Sequence, residues 1–249
     1  MLRGSVIPRS TYHRRMLRTV LFDLDGTLVD HESAAAAAVV VWAAEYGVVG
    51  PEVAAEWAAV SDKHYRRYQR RELTFPEQRR LRVREFLGVE ASEAEADEMF
   101  ESYARRYEAG WAVYDDAVPA LRAVRAAGLG AVVLTNGNTA HQTFKLDRMG
   151  LTAEIDELIT GDDLPATKPD PRAFAYALER VGADPDEVIM VGDSLENDVR
   201  GAQAAGIHAV LIDRNDVHTQ TDVRRIRSLT EVLDVVSPPG VDGGRAAGR

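Results

Sequence analysis

The 249-residue chain contains no cysteine. That removes disulfides, thiolate metal ligands and a cysteine nucleophile at once. Any nucleophile is then a serine, threonine, lysine, histidine or carboxylate, and any metal is held by oxygen or imidazole. Long apolar runs are missing too. The longest, Ala34 to Ala44, is alanine-rich and falls well short of the ~20 residues that span a bilayer. Positive charge is in deficit, with 30 Lys+Arg against 40 Asp+Glu and a formal net charge of −10. That balance argues against general nucleic-acid affinity, which shows a basic footprint. These absences predict a soluble, cytoplasmic protein, monomer or homodimer, with neither nucleic acid nor membrane as partner. The length suits one large α/β domain or a core with an inserted domain.

What is present begins at Thr19-Val20-Leu21-Phe22-Asp23-Leu24-Asp25-Gly26-Thr27-Leu28. The apolar run Val20 to Phe22 lacks polar alternation, as a strand buried on both faces does. It stops at two aspartates one residue apart and a glycine that permits a sharp turn. Ahead of it, residues 1–17 are arginine-rich and free of acids, and are read as a disordered extension or an upstream start, with a targeting presequence as the alternative. Residues 31–110 change character: Ser33–Tyr46, Glu52–Arg71, Pro76–Leu87 and a capped segment from Ser92 to about Glu108 all read as helices. Four helices in succession predict a small bundle inserted after the first strand.

From Asp115 the pattern alternates between helix and strand, which signals a parallel sheet. Strands are predicted at Ala131–Leu134, Leu158–Thr160, Val188–Val191 and His208–Ile212. Helices are predicted at Pro119–Ala127, Thr139–Met149, Pro171–Val181 and Val199–Ala205. The core is therefore expected over 18–30 and 111–236, the helical cap over 31–110, and a disordered Pro/Gly-rich tail over 237–249. Gly110 and the segment before Pro119, with Val29 to Ser33, form the expected hinge.

Three apolar strands end in polar residues of distinct chemistry: Asp23 with Asp25, Thr135, and Asp193. Lys168 precedes the helix opened by Asp170-Pro171. In a parallel sheet such strand ends share one edge, where ligands bind. Carboxylates from two strands make a hard oxygen site suited to Mg²⁺. Lysine and hydroxyl groups add donors for phosphate oxygens, and the set suits phosphoryl transfer.

Asp23-Leu24-Asp25-Gly26-Thr27-Leu28, Thr135-Asn136-Gly137, Lys168-Pro169 and Gly192-Asp193-Ser194-Leu195-Glu196-Asn197-Asp198 resemble, in order and spacing, the four motifs of the haloacid dehalogenase superfamily. The likeness covers about Arg18 to Arg214, and the helical insert resembles the subclass I cap. It implies a Rossmann-like core with helices on both faces and a Mg²⁺-dependent phosphatase acting on a small phosphorylated metabolite through an aspartyl-phosphate. By that resemblance Asp23 is the nucleophile, and Asp25 is the general acid and base with a raised pKa. Asp23, Asp193 and the main-chain carbonyl of Asp25 hold the metal. Thr135, the Asn136 amide and Lys168 bind the phosphoryl group, and Asp198 orients a metal-bound water or Lys168.

Other readings stay open at single positions. Thr135-Asn136-Gly137 also suits a plain turn, Lys168 an exposed loop lysine, and Asp198 a helix cap, with Glu196 as a second candidate for its role and Ser194 as a turn or cap residue. A dehalogenase is rejected because members of that branch lack an acid two residues after the nucleophile. A Schiff-base phosphonatase fits poorly because the insert holds one lysine, Lys63, well along its second helix. A β-phosphoglucomutase-type mutase shares the four motifs, and an inactive binding relative is the non-enzyme alternative.

Lys63 to Arg84 holds nine basic residues and two acids. One reading is a solvated helix face with aliphatic stems lying on the bundle. The other turns some of Arg66, Arg67, Arg70, Arg71, Arg79 and Arg80 to the active site to attract an anionic substrate. Trp42, Trp57, Tyr65 and Tyr68 are read as cap core, and His64 as a surface or core histidine.

Overall fold

The computed structural model describes residues 16–219 and 222–236. Six parallel strands form one sheet in the order β5-β4-β1-β6-β7-β8: β1 is Thr19–Phe22, β4 Gly130–Leu134, β5 Glu157–Ile159, β6 Val188–Gly192, β7 His208–Ile212 and β8 Arg225–Ile226. The unbroken apolar runs follow from this placement. Val20 and Phe22 point into one buried cluster and Leu21 into another, as Val133 does against Val132 and Leu134. Period-two alternation between two apolar layers leaves no polar position in a central strand. Helix α5 (Ala117–Ala126) and the C-terminal α9 (Val232–Val236) cover the first layer through Leu121, Val124 and Val235. Helix α7 (Pro171–Val181) and α8 (Gly201–Ala204) cover the second through Phe174 and Ala202. The expected α/β core with helices on both faces and a helical insertion is the observed fold.

The insertion leaves the core after β2 (Val29–Asp30) and returns at β3 (Ala112–Val113), two short strands paired antiparallel to each other and outside the main sheet. Between them run α1 (His31–Ala44), α2 (Val53–Gln69), α3 (Phe75–Leu87) and α4 (Glu93–Ala109). Helices α3 and α4 each start with a reciprocal capping box, Thr74 with Glu77 and Ser92 with Glu95. Their shared core is aromatic: Trp42 and Trp57 lie 5.2 Å apart between ring centroids, and Trp57 and Tyr103 4.7 Å, all three buried.

Two local differences from the sequence reading have physical causes. The helix expected at Val199–Ala205 begins earlier, as a wide π turn over Leu195–Arg200 capped by the Ser194 hydroxyl, before the short α8. The wide turn carries Asp198 inward, where its side chain is bonded to core groups. Strand β8 pairs only two residues of its own with β7, too short a run for periodicity to reveal. The expectations for residues 1–15 and 237–249 fall outside the described residues. Among those described, no helix is long and apolar enough to cross a membrane.

The cap core rests on Trp42, which also donates its indole N–H to the Met99 carbonyl at 3.0 Å. Trp42→Ala is expected to lower unfolding free energy by about 3–5 kcal/mol, measured by chemical denaturation. Exchanging exposed Val41 on the same helix for serine is expected to change it by less than about 0.5 kcal/mol.

Candidate active site

Parallel pairing of β1 with both β4 and β6 puts Asp23, Thr135 and Asp193 at one edge of the sheet, just past the carboxyl ends of three adjacent strands. Between them lies Lys168, delivered by the loop before α7 and almost wholly buried. Its ammonium donates to Asp23 Oδ1 at 2.7 Å, to Asp198 Oδ1 at 2.6 Å and to the Leu134 carbonyl at 2.7 Å. An ammonium has three protons, and all three are used. Lys168 therefore reaches an arriving phosphoryl group by its charge, with no N–H to spare for it.

The side chain of Asn136 explains why Lys168 sits so well. Asn136 Nδ2 donates to the Lys168 carbonyl and Asn136 Oδ1 accepts from the Lys168 N–H, both at 2.8 Å. The asparagine is thus a two-ended clamp on the lysine backbone, a role the sequence reading did not give it. Thr135 Oγ1 accepts from the Gly137 N–H at 3.1 Å and from Gln142 Nε2 at 2.9 Å. Both of its lone pairs are filled, so its O–H is the function left to bond a ligand oxygen. A side chain at Gly137 would collide with Gln142, so this turn demands glycine.

Asp23, Asp193 and Asp198 place carboxylate oxygens within 4.8 Å of one another. Asp198 uses both oxygens on protein donors, Lys168 Nζ and the Ser194 N–H at 3.0 Å. Asp193 accepts the Thr27 hydroxyl on Oδ1 at 3.0 Å and returns its own N–H to Thr27 Oγ1 at 3.1 Å. Asp23 and Asp193 each keep one oxygen, Oδ2, with no protein donor among the described residues. Gly26, at φ +89°, leaves room beside Asp193 that a Cβ would fill. Two free hard oxygens among three carboxylates and one ammonium fit a divalent cation such as Mg²⁺. Asp198 serves Lys168, the second of its two expected roles. The Asp25 carboxylate lies outside this cluster.

Asp25 departs from its expected electrostatics. Burial pushes its carboxyl up, but Lys145, His31 and the Gln142 amide outweigh that and hold it well below the usual carboxylate range. Gln142 Nε2 donates to Asp25 Oδ2 at 2.7 Å, and the buried Lys145 ammonium is ion-paired with Oδ1. The acid expected to carry a raised pKa is thus held as a carboxylate. Both partners lie on α6 (Thr139–Arg148), three residues apart on one face, and the sequence reading missed them. The available signal was a glutamine and a lysine at helical spacing just after the Thr135 turn.

The cap meets the core over this edge. Tyr68 donates to Asp162 Oδ1 at 3.2 Å, Arg71 to the Leu164 carbonyl at 2.6 Å, and Thr167 to the Gln69 carbonyl at 3.3 Å. A cavity of about 190 Å³ between them is lined by Tyr68, Gln69, Arg71, Asn136, Asp162 and Thr167. Tyr68 is consequently part of the cap's rim over the site and not of its core, correcting the expectation for it, and Tyr65 packs beside it at 5.5 Å between ring centroids, outside the buried cap cluster. Trp42 and Trp57 are core, as expected. Lys63 lies on the cap surface in an ion pair with Glu85, and His64 is buried against the same carboxylate at 2.8 Å.

The family model of haloacid dehalogenase-like hydrolases matches residues 17–206. Among curated proteins, the chain is 34% identical to the phosphoserine phosphatase of Thermus thermophilus over 197 residues, covering 78% of this chain and 72% of that one. It is 33% identical to phosphoglycolate phosphatase 1 of Pseudomonas aeruginosa over 200 residues, 80% of this chain and 70% of that one. The magnesium-bound HAD-hydrolase YfnB of Bacillus subtilis has the same fold, with a TM-score of 0.76 at 23% identity over 89% of this chain and 99% of its own.

Two outcomes follow from these contacts. Asn136→Ala strips both partners from the buried Lys168 backbone and is expected to lower stability by about 1–3 kcal/mol, read from denaturant midpoints. With protein groups alone around it, the Asp193 carboxyl is pushed up to about 7, first by burial and then by the Asp198 carboxylate. An unfolded aspartate titrates near 3.9, so between these values the folded state holds the extra proton and loses stability as pH rises. A cation binds the ionised carboxylates in competition with protons. The melting-temperature gain from Mg²⁺ is therefore expected to be larger at about pH 8 than at about pH 5, and a gain independent of pH would place the cation elsewhere.

Proposed function

Because the chain belongs to the haloacid dehalogenase-like hydrolase family and is one of its phosphatases, we propose that it hydrolyses a small soluble phosphate monoester with Mg²⁺ as cofactor, through an aspartyl-phosphate on Asp23. The observation that carries this reading is the shared ammonium of Lys168, which joins Asp23 to Asp198 at the mouths of β1 and β6. A carboxylate that attacks a phosphoryl group needs both burial, to strip it of water, and positive charge, to bring two anions together. Asp23 has both.

In the first step one oxygen of Asp23 attacks phosphorus and the ester oxygen leaves with the bonding pair. The hydroxyl of Thr135, whose acceptor sites are filled from within, and the main-chain N–H of Asn136 support the equatorial oxygens. Mg²⁺ held by Asp23 and Asp193 would offset charge on the transferring group. The leaving oxygen takes a proton from Asp25. In the free site Lys145 and Gln142 hold Asp25 ionised, which is the state required of a base. A phosphoryl dianion arriving beside it opposes that ionisation and raises its pKa, so proton uptake accompanies substrate binding. In the second step Asp25, again ionised, takes a proton from the water that attacks phosphorus, and inorganic phosphate departs.

The test is a screen of phosphorylated metabolites with Mg²⁺, using Asp23→Asn as the blank. Free phosphate without an isomerised sugar phosphate is the expected product, and the variant is expected to lose at least about 10³-fold in kcat. An isomerised sugar phosphate as main product would make the enzyme a mutase. Turnover surviving in Asp23→Asn would remove the covalent route.

A further inference from the structure

Of the carboxylates proposed to hold Mg²⁺, Asp193 takes its direction from a single short loop. Its Oδ1 accepts the Thr27 hydroxyl at 3.0 Å, and its main-chain N–H donates back to Thr27 Oγ1 at 3.1 Å. Its Oδ2 lies against Gly26, where a Cβ would collide with it. Gly26 and Thr27 therefore frame both oxygens of this carboxylate. A side chain that orients a metal ligand is only as well placed as the backbone that carries it.

That backbone is held from outside the loop. Thr27 is fully buried, and its carbonyl accepts from Arg214 Nη2 at 3.0 Å, the one donor it has among the described residues. Arg214 follows β7 and lies beyond residues 17–206, the stretch that the family model matches. Its guanidinium is fixed on two further sides. Nη1 and Nη2 form a fork with Asp116, at 2.7 Å to Oδ2 and 2.9 Å to Oδ1, and Cζ sits 3.9 Å from the centroid of the Tyr114 ring. Such a planar, two-pronged pair fixes orientation as well as charge.

The brace itself is specialised. Asp116 occupies the N-cap position of α5, yet its side chain makes no capping bond to that helix. An aspartate there ordinarily bonds the first free N–H groups of its own helix. This one turns instead to Arg214, to the Ser228 hydroxyl at 2.8 Å and to the Leu229 N–H at 2.9 Å. Tyr114 and Asp116 both lie between β3 and α5, where the insertion rejoins the core, and the Tyr114 N–H donates to the Leu28 carbonyl at 3.0 Å. Arg214 thus touches both limbs of the cap connection. Its Nε is buried without a partner, so the guanidinium is seated for its Nη contacts at some cost to itself.

We propose that Arg214 is a positioning residue of the cation site. Held by Asp116 and Tyr114, it fixes the Thr27 carbonyl, and through the Thr27 hydroxyl it sets the direction of the Asp193 carboxylate. The inference rests on Asp193 being a ligand of Mg²⁺, and it extends the site to the end of β7, which carries none of the four motifs. Positioning and charge act here with opposite signs. A guanidinium near a bound cation repels it, so removing the charge alone favours Mg²⁺. Releasing Thr27 weakens binding, because partners that orient metal ligands are worth about 10- to 100-fold in affinity.

Isothermal titration calorimetry with Mg²⁺ alone, at constant ionic strength, reads that sign directly. Arg214→Gln is expected to weaken binding by about 10-fold, and Arg214→Lys, which retains a donor for the Thr27 carbonyl, to recover part of the loss. In Thr27→Val the hydroxyl through which Arg214 acts is already gone. Adding Arg214→Gln to that variant is expected to change the dissociation constant by less than about twofold. Trp42→Ala, which loosens the cap core away from this edge, is expected to leave the constant unchanged, so a general loss of stability does not imitate the effect. The proposal is overturned if Arg214→Gln binds Mg²⁺ as tightly as the wild type or more tightly, or if its loss is equally large in the Thr27→Val background. Should Arg214→Gln fail to fold, Arg214→Lys carries the same two comparisons. Binding undiminished in Asp193→Asn would remove the cation site itself, and the proposal with it, which sets that failure apart from one at Arg214.

Discussion

The Lys168 ammonium is the charge on which the catalytic edge depends. Three carboxylates from β1, β6 and the π turn converge within a few ångströms in a region shielded from water. Removing one partner from a buried ion pair costs about 3–5 kcal/mol, because the remaining charge is stranded. Lys168 bridges two of the three and anchors itself to the last carbonyl of β4, so one side chain ties the ends of β1 and β4 to the π turn. The clamp from Asn136 fixes the lysine backbone, and the π turn brings Asp198 far enough inward to meet it. The local irregularity in the chain is thus a consequence of where a charge must be.

A second, smaller network lies beside the first. Asp25, Gln142, Thr135 and Lys145 connect the acid two residues after the nucleophile to the first turns of α6. The two networks hold opposite positions on charge. Burial beside two other carboxylates pushes Asp23 upward even with Lys168 bonded to it, whereas Lys145 and Gln142 drive Asp25 downward against burial. Neighbouring aspartates in one loop are therefore shifted in opposite directions before a substrate arrives. That separation of environments is how two like groups come to do unlike work. The cap supplies the third part, a rim in which Tyr68 and Arg71 bond to Asp162 and to the Leu164 carbonyl of the core.

Much of this was legible in the residues. The strands at Val20–Phe22, Ala131–Leu134 and Val188–Val191 announce themselves because both sheet faces are apolar, and the polar residue ending each run marks the edge where they meet. Lys168 and Asp198 could be named as partners from the motifs alone. What could not be read was the direction of side chains across elements. Asn136 looks like a phosphate ligand in a turn, yet its side chain faces Lys168, since the loop before α7 packs against it. Gln142 and Lys145 are ordinary helix residues until α6 is docked beside Asp25. Tyr68 shares the composition of the cap core, and only the α2–core contact at Asp162 shows that it belongs to the rim. Ion pairing decides the same question for part of the basic stretch: Lys63, Arg66, Arg70 and Arg80 are surface groups held by neighbouring carboxylates.

The central claim is that Asp23 carries the phosphoryl group between the two chemical steps. Acid quench during turnover, followed by borohydride reduction and peptide mass spectrometry, tests it directly, because an aspartyl-phosphate is reduced to homoserine. The account predicts homoserine at position 23 and at no other aspartate, dependent on substrate. Active enzyme with no reduced residue, or with the label at Asp25, Asp193 or Asp198, would contradict it.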